Sequence, residues 1–504
     1  VLAALAASGC AGHARSEVPS TMPRAADGTR AITPFASPTP SPGIVASVTV
    51  HPAQQGAITY TRTLGANMAL WFDVTRPGIA QEFTGTGMTS VRWPGGSDAD
   101  LYHWQTHALC AGGYADPHAT FDNFMQHVAI PANLSVEMTV NYGSNAACNG
   151  GGDPAEAAAW VDYANNVKGY GVKRWTIGNE SYGSWEYDLH AQPHDAATYA
   201  AAVANGYYPQ IKAKDPSSVV GVVVEPGWSP NWDSVVLQNA RYDYVELHWY
   251  AQTPGQENDT YLVKQAPQAL TAVIHTLQNE LAAAGRAQAP IHLGELGSVY
   301  ANPGKQSTSI AQALFAGEVL GELVTAGVPR ATWWLGNGGC SDASSGNFSP
   351  SLYGWQNFGG YMLFSDGTPE YGCSGATAVP LGTPLPTARA YQVMARALHD
   401  GEHVVGTTLG GAAVNLRAYA MSDGAGYALV LFNLTQQKAA AVTIAIDGFA
   451  RPATVTQTTY GKAEYDQSQT GVWAGPVTSQ SSAPAGTVTV TLPPWSMNAV
   501  TILP

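Results

Sequence analysis

The chain has 504 residues, 45% hydrophobic and 12% charged, with 22 basic against 36 acidic side chains and a formal net charge of −14. That is too long for one ordinary domain and too apolar for wholesale disorder. Its sparse, acid-weighted charge argues against a nucleic-acid partner, because phosphate binding needs clustered Lys and Arg, whereas 14 Trp and 24 Tyr suit neutral, ring-shaped ligands.

Residues 1–10 are mostly small and apolar and finish in Ala7-Ser8-Gly9-Cys10, which reads as the tail of a lipoprotein export signal with Cys10 as the lipidated residue. The plainer alternative is an ordinary signal peptide with an incidental cysteine. Both predict export. The protein is then a periplasmic or cell-surface lipoprotein, or else secreted, with membrane contact only through that lipid. Residues 11–43, rich in Ser, Thr, Pro and Ala, read as a flexible tether. In segment 44–60 the run Val45–Val50 is expected to join the C-terminal β domain.

Over 61–398 eight β-like runs alternate with helical stretches. The runs are Thr63–Leu70, Ser90–Trp93, Ser135–Asn141, Arg174–Gly178, Val219–Val224, Tyr244–His248, Ile291–Gly294 and Arg330–Trp334. Helices are expected at Pro154–Lys168, Ala196–Lys214, Tyr261–Ala284 and Thr308–Thr325. Eight β/α units with short connections predict a closed (β/α)8 TIM barrel in the α/β class. No G-x-G-x-x-G follows the first run, which removes the usual dinucleotide-binding alternative. Between 399 and 504 the runs Ala413–Ala420, Tyr427–Phe432, Ala441–Ile446 and Thr487–Leu492 alternate between turn residues, the pattern of an antiparallel β-sandwich.

Four further cysteines, Cys110, Cys148, Cys340 and Cys373, allow three disulfide pairings in an exported protein. The barrel reading brings the loops of Cys110 and Cys148 together, and those of Cys340 and Cys373, so these pairs are preferred over free buried thiols. No CxxC or HExxH is present, and neither a metal nor a cofactor is expected.

Active sites of such barrels lie at the C-terminal ends of the strands. The ends read Arg92-Trp93-Pro94-Gly95-Gly96-Ser97, Asn141-Tyr142-Gly143-Ser144, Gly178-Asn179-Glu180, His248-Trp249-Tyr250, Gly294-Glu295-Leu296-Gly297 and Trp333-Trp334. Glu180 and Glu295 thus reach one rim from strands four and seven. Cleavage of a glycosidic bond needs one carboxyl to protonate the leaving oxygen and a second across the anomeric carbon. A separation of about 5–5.5 Å selects retention by double displacement. Mutual repulsion would keep Glu180 protonated as acid/base, while Arg92 and Tyr250 hold Glu295 ionised as nucleophile.

Taken together and in order, these segments resemble the motifs of clan A retaining glycoside hydrolases, most of all the family 51 α-L-arabinofuranosidases. The resemblance runs from about Asn67 to Leu492-Pro493-Pro494-Trp495-Ser496. It implies that Glu180 is the acid/base, that Asn179 binds the sugar hydroxyl beside the anomeric centre, and that His248 and Tyr250 line the site beside Glu295. Arg92 would support the nucleophile. Three positions depart from the family: Asn67 stands where it presents a glutamate, Ser97 where it carries asparagine, and Gly-Glu-Leu-Gly replaces Glu-Trp-Asn. All three concern contacts to the sugar, so the substrate is less fixed than the chemistry.

Each assignment has a structural alternative. Glu295 has rivals in Glu225 and Glu246, and Glu246 shares a strand face with His248 and Tyr250, making it a site residue in its own right. Arg92 could serve as a buried ion-pair partner, His248 as a core histidine, and Asn141 as a turn cap instead of a sugar ligand. One of Trp333 and Trp334 is expected to face the barrel axis as a sugar platform, the other to pack among helices. Three functions follow: an α-L-arabinofuranosidase acting on a carbohydrate substrate, a β-glycosidase for xylose, glucose or glucuronic acid, or a catalytically dead sugar-binding lipoprotein.

Overall fold

The computed structural model describes residues 43–227, 231–338, 340–343, 346–367, 379–484 and 486–504. The expected export signal, Cys10 and tether fall on 1–42, and Cys373 on 368–378, outside the described residues.

Eight parallel strands close a barrel in chain order: Gly65–Asn67, Ser90–Trp93, Ser135–Val140, Arg174–Ile177, Val219–Val224, Tyr244–Gln252, Ile291–Val299 and Arg330–Trp333. Closure runs through Trp333 opposite Ala66. The fifth strand shows why the sequence reads so clearly. Val219-Val220-Gly221-Val222-Val223-Val224 is β-branched on both faces and buried on both, as a strand between barrel core and helix ring must be. Its one glycine leaves room for Tyr244, whose ring would lie 2.3 Å from a Cβ at Gly221.

The surrounding helices begin where capping chemistry allows. Asp153 accepts the Ala155 N–H before Pro154–Asp162, and Asp195 accepts the Thr198 N–H before Ala196–Ala202. Two expected helices are less regular than their composition suggests: they widen into π turns at Tyr163–Val167 and Val203–Tyr207. The expected helix Tyr261–Ala284 is two, Asp259–Lys264 and Ala266–Ala283, broken at Gln265 two residues before Pro267, whose missing N–H and ring oppose an unbroken helix.

The C-terminal β domain is one mixed sheet of nine strands, where antiparallel pairing alone was expected. Strand Ile44–Ile58 lies inside it, antiparallel to His403–Gly411 and parallel to Ala440–Ile446. Val455, Val488 and Val490, from strands near opposite ends of the sheet order, share one apolar core with Val48 and Leu429, so the sheet wraps around that core. The helix Ile310–Thr325 is buried almost throughout because it is sandwiched between barrel and sheet. Gly317 lets it approach Phe432 and Met497, and Gly321 lets it approach Tyr419. A disulfide joins Cys110 to Cys148. Among the described residues no helix is long and apolar enough to cross a membrane.

Candidate active site

The strand ends converge on one buried cation. Arg92 is fully buried, and its Nη1 donates to Asn67 Oδ1 at 3.0 Å and Glu295 Oε1 at 3.2 Å. Its Nη2 donates to Asn179 Oδ1 and to Glu246 Oε1, each at 2.9 Å. Strands one, two, four, six and seven are thereby tied to a single planar fork, a task for which arginine's fixed donor geometry is suited.

Above this fork stand the two expected carboxylates. Glu295 Oε2 accepts the Tyr250 hydroxyl at 2.6 Å. Glu180 Oε2 accepts the Trp185 indole N–H at 2.7 Å, and its Oε1 lies 2.8 Å from His248 Nδ1. That nitrogen is 3.8 Å from Glu295 Oε1, and one oxygen of each carboxylate and one nitrogen of the ring all lie within 4.8 Å of one another. Glu225, a rival nucleophile, is not in this group. The backbone at Glu180 has φ 41°, following Gly178 at φ 76°, so the chain turns sharply to present this carboxyl.

Charge is distributed differently from the expectation that Glu180 holds the proton and Glu295 is ionised. Burial pushes the Glu180 carboxyl up, but the hydrogen bond and charge of His248, with Trp185 and Arg92, outweigh it and leave it below the ordinary value. Burial dominates at Glu295 and, with the nearby Glu180 charge, raises it despite His248, Arg92 and Tyr250. The cause is positional, since His248 sits about an ångström closer to Glu180. Burial would also neutralise His248, yet the charge of Glu295 and the hydrogen bonds to Glu180 and Glu246 push it up to about 10.

Of the other expected site residues, Trp334 is half-buried and most are buried beneath it. Trp334 packs over the glycine pair, where a Cβ at Gly95 or Gly96 would fall 2.9 or 2.6 Å from its ring, and it meets Trp71 edge-on at 6.1 Å. Trp333 is fully buried against Phe315 and donates to Tyr361 O. Trp93, stacked 4.9 Å from Phe124, is also fully buried. Asn67 is buried too, its amide N–H given to Gly294 O at 2.8 Å. Asn141 follows the turn-capping alternative: its amide donates to Tyr102 O and Ser144 Oγ, and its carbonyl oxygen accepts the Ser144 N–H. Glu246 is completely buried and bonded on both oxygens, so it supports the site from below.

Two carboxyls escaped the sequence reading. Ser97 donates to Glu186 Oε1 at 2.8 Å and the Asn179 amide donates to the same oxygen at 3.1 Å, while burial beside Glu180 keeps Glu186 well above the carboxylate range. Asp100 accepts the backbone N–H groups of Tyr142, Gly143 and Asn179, pinning the loops after strands three and four together. Glu186 lies in a loop and Asp100 ends the short 3-10 turn Ser97–Asp100, where neither period nor motif marks them. The one available signal was their closeness in sequence to Ser97 and Glu180. The Cys110–Cys148 disulfide braces the loops after strands two and three, and its sulfurs account for the close approach of His103 to Cys110 and Cys148.

No protein-family model matches the chain. Probable α-L-arabinofuranosidase C of Aspergillus niger is 26% identical over 180 residues, 29% of this chain and 32% of that protein, and its Aspergillus terreus counterpart aligns equally well. The match thus spans about a third of the length of these curated relatives. Among solved structures, the α-L-arabinofuranosidase of Thermotoga maritima in complex with arabinose superposes with a TM-score of 0.68 at 17% identity, over 91% of this chain and 100% of that one. A family 44 xyloglucanase of Paenibacillus polymyxa gives 0.62 at 13% identity over the same shares. The fold is therefore one that the chain shares with α-L-arabinofuranosidases and with a family 44 xyloglucanase.

Proposed function

We propose that the protein is a retaining glycoside hydrolase working by double displacement, with Glu180 as acid/base and Glu295 as nucleophile, and that its substrates are α-L-arabinofuranosides of plant-type polysaccharide side chains. The observation that carries this reading is the close pairing of two carboxylates from strands four and seven on either side of His248. Such closeness suits direct attack by one carboxylate on the anomeric carbon and leaves no space for an intervening water.

In the first step Glu295 attacks while Glu180 protonates the departing oxygen. The glycosyl–enzyme ester is then hydrolysed by water that Glu180 deprotonates. Because the shared proton favours Glu295, it must reach Glu180 before attack. His248 Nδ1, at 2.8 and 3.8 Å from the two carboxylates, is placed to give its proton to Glu180 and recover one from Glu295. Tyr250 and Arg92 then stabilise the ionised nucleophile. Trp334, half-buried beside Trp71, offers a face for a sugar ring. Completeness of this constellation favours an enzyme over a sugar-binding protein with a dead barrel.

A β-linked pyranose is the second reading, favoured by the burial of Asn67, the capture of Ser97 by Glu186 and the likeness to a family 44 xyloglucanase. Hydrolysis of aryl α-L-arabinofuranoside, β-D-xylopyranoside, β-D-glucopyranoside and β-D-glucuronide separates the two. Activity on the first, lost in Glu180→Ala and Glu295→Ala, is the expected result. Preference for a pyranoside moves the substrate to the second reading, and an inert wild type on all four rejects the enzyme.

A further inference from the structure

Glu246 lies at the centre of the constellation, yet no step above uses it. Its Oε1 accepts both Arg92 Nη2, at 2.9 Å, and His248 Nε2, at 3.1 Å, while its Oε2 accepts the Thr176 hydroxyl at 2.6 Å. Its side chain is fully buried. The neighbouring strand has made room for it: a Cβ at Gly294, the residue before the nucleophile, would fall 2.4 Å from the Glu246 carboxyl carbon. One oxygen therefore holds the cation behind Glu295 and the ring behind Glu180.

We propose that Glu246 is a positioning residue that couples the two catalytic carboxylates, by fixing His248 against Glu180 and Arg92 against Glu295 through a single shared carboxylate. The proposal rests on Glu180 and Glu295 being the reacting pair. Held at its far nitrogen, the imidazole of His248 has its Nδ1 aimed between the two carboxylates, the geometry a proton relay requires. The groups facing Glu246 are Arg92 on strand two, Glu137 on strand three, Thr176 on strand four and Tyr244 and His248 on strand six; facing His248 as well are Glu180 and Glu295. Burial works against ionisation of Glu246, but Arg92 and His248 prevail and hold it as the anion.

The test uses the full chain with Glu246→Gln and, as a change that leaves every ionisable group in place, Thr176→Val. The first readout is the nitrogen-15 titration of the His248 ring, identified by its loss in His248→Asn. Removing one anionic partner makes the imidazolium less favourable, so the His248 midpoint is expected to fall by about one pH unit or more in Glu246→Gln, and by less in Thr176→Val. The second readout is the pH profile of aryl glycoside hydrolysis. The alkaline limb is expected to move to lower pH, and kcat to fall about 10- to 100-fold with KM within about threefold. A His248 titration unmoved in both variants, or a loss confined to KM, overturns the proposal. The ring titration is read without turnover, so it stands apart from failure of the glycosidase reading, which an inert wild type would reveal.

Discussion

Tyr250 and Gly294 show how single groups are matched to the carboxylates beside them, Glu295 and Glu246. The Tyr250 hydroxyl donates to Glu295 at 2.6 Å, stabilising the ionised form that the proposed attack requires. Tyr250→Phe removes that donor, so the Glu295 pKa rises further and the acid limb of the kcat/KM profile is expected to shift to higher pH, with kcat down by about 10- to 100-fold. Gly294→Ala would place a methyl group on the Glu246 carboxyl, and urea unfolding should show a loss of about 1–3 kcal/mol. Unchanged stability would mean that this side chain has somewhere else to go. Of the residues that matter at this scale, those on strand ends were legible because alternation and barrel geometry fix which side chains reach the rim. Glu186 and Asp100 were not legible, since their roles arise from loops returning to the site, and the inward commitment of Asn141 depends on a partner, Tyr102, far away in the chain.

At the level of elements, Val219–Val224 and Ser90–Trp93 fall where the sequence places them, the first because a short β-branched run between turn residues has few alternatives. The π turns were hidden because they follow from how a helix seats on the barrel and leave the Ala-rich composition unchanged. The parallel pairing of Ile44–Ile58 was hidden for a similar reason, as strand direction depends on partners nearly 400 residues away. The loops after strands two and three are unsupported by long elements and rely on the disulfide, which spans 38 residues. Its loss in Cys110→Ser is expected to cost about 3–4 kcal/mol, visible as a lower thermal midpoint that reductant also produces in the wild type. A midpoint indifferent to reductant would show that the Asp100 hydrogen bonds suffice to hold these loops.

For the molecule as a whole, several buried acids set a preference in pH. Burial pushes Asp98 up to about 6, Asp100 to about 7 and Asp233 to about 8. Each binds its proton more tightly folded than unfolded, so its contribution is complete below the ordinary carboxylate value near 4 and is lost as pH rises through 6, 7 and 8. Asp73 and Asp122, held below the ordinary value by hydrogen bonds and charge that outweigh burial, contribute in the opposite sense and lose that contribution as pH falls below about 4. Thermal midpoints measured across the range should therefore peak in mildly acid solution and decline from pH 5 to pH 8. A midpoint that climbs over that interval would contradict the assignment of neutral buried acids.

The placement of Ile44–Ile58 between His403–Gly411 and Ala440–Ile446 also bears on how the chain is made. This strand leaves the ribosome roughly 345 residues ahead of the first of its two partners, a delay of roughly 20–70 s at ordinary rates of synthesis. Throughout that interval Ala46, Val48 and Val50 have no sheet to join, while the barrel can close behind them. The newborn protein thus carries a sticky segment until His403–Gly411 and Ala440–Ile446 emerge, which makes chaperone supply and translation speed the natural levers on its yield.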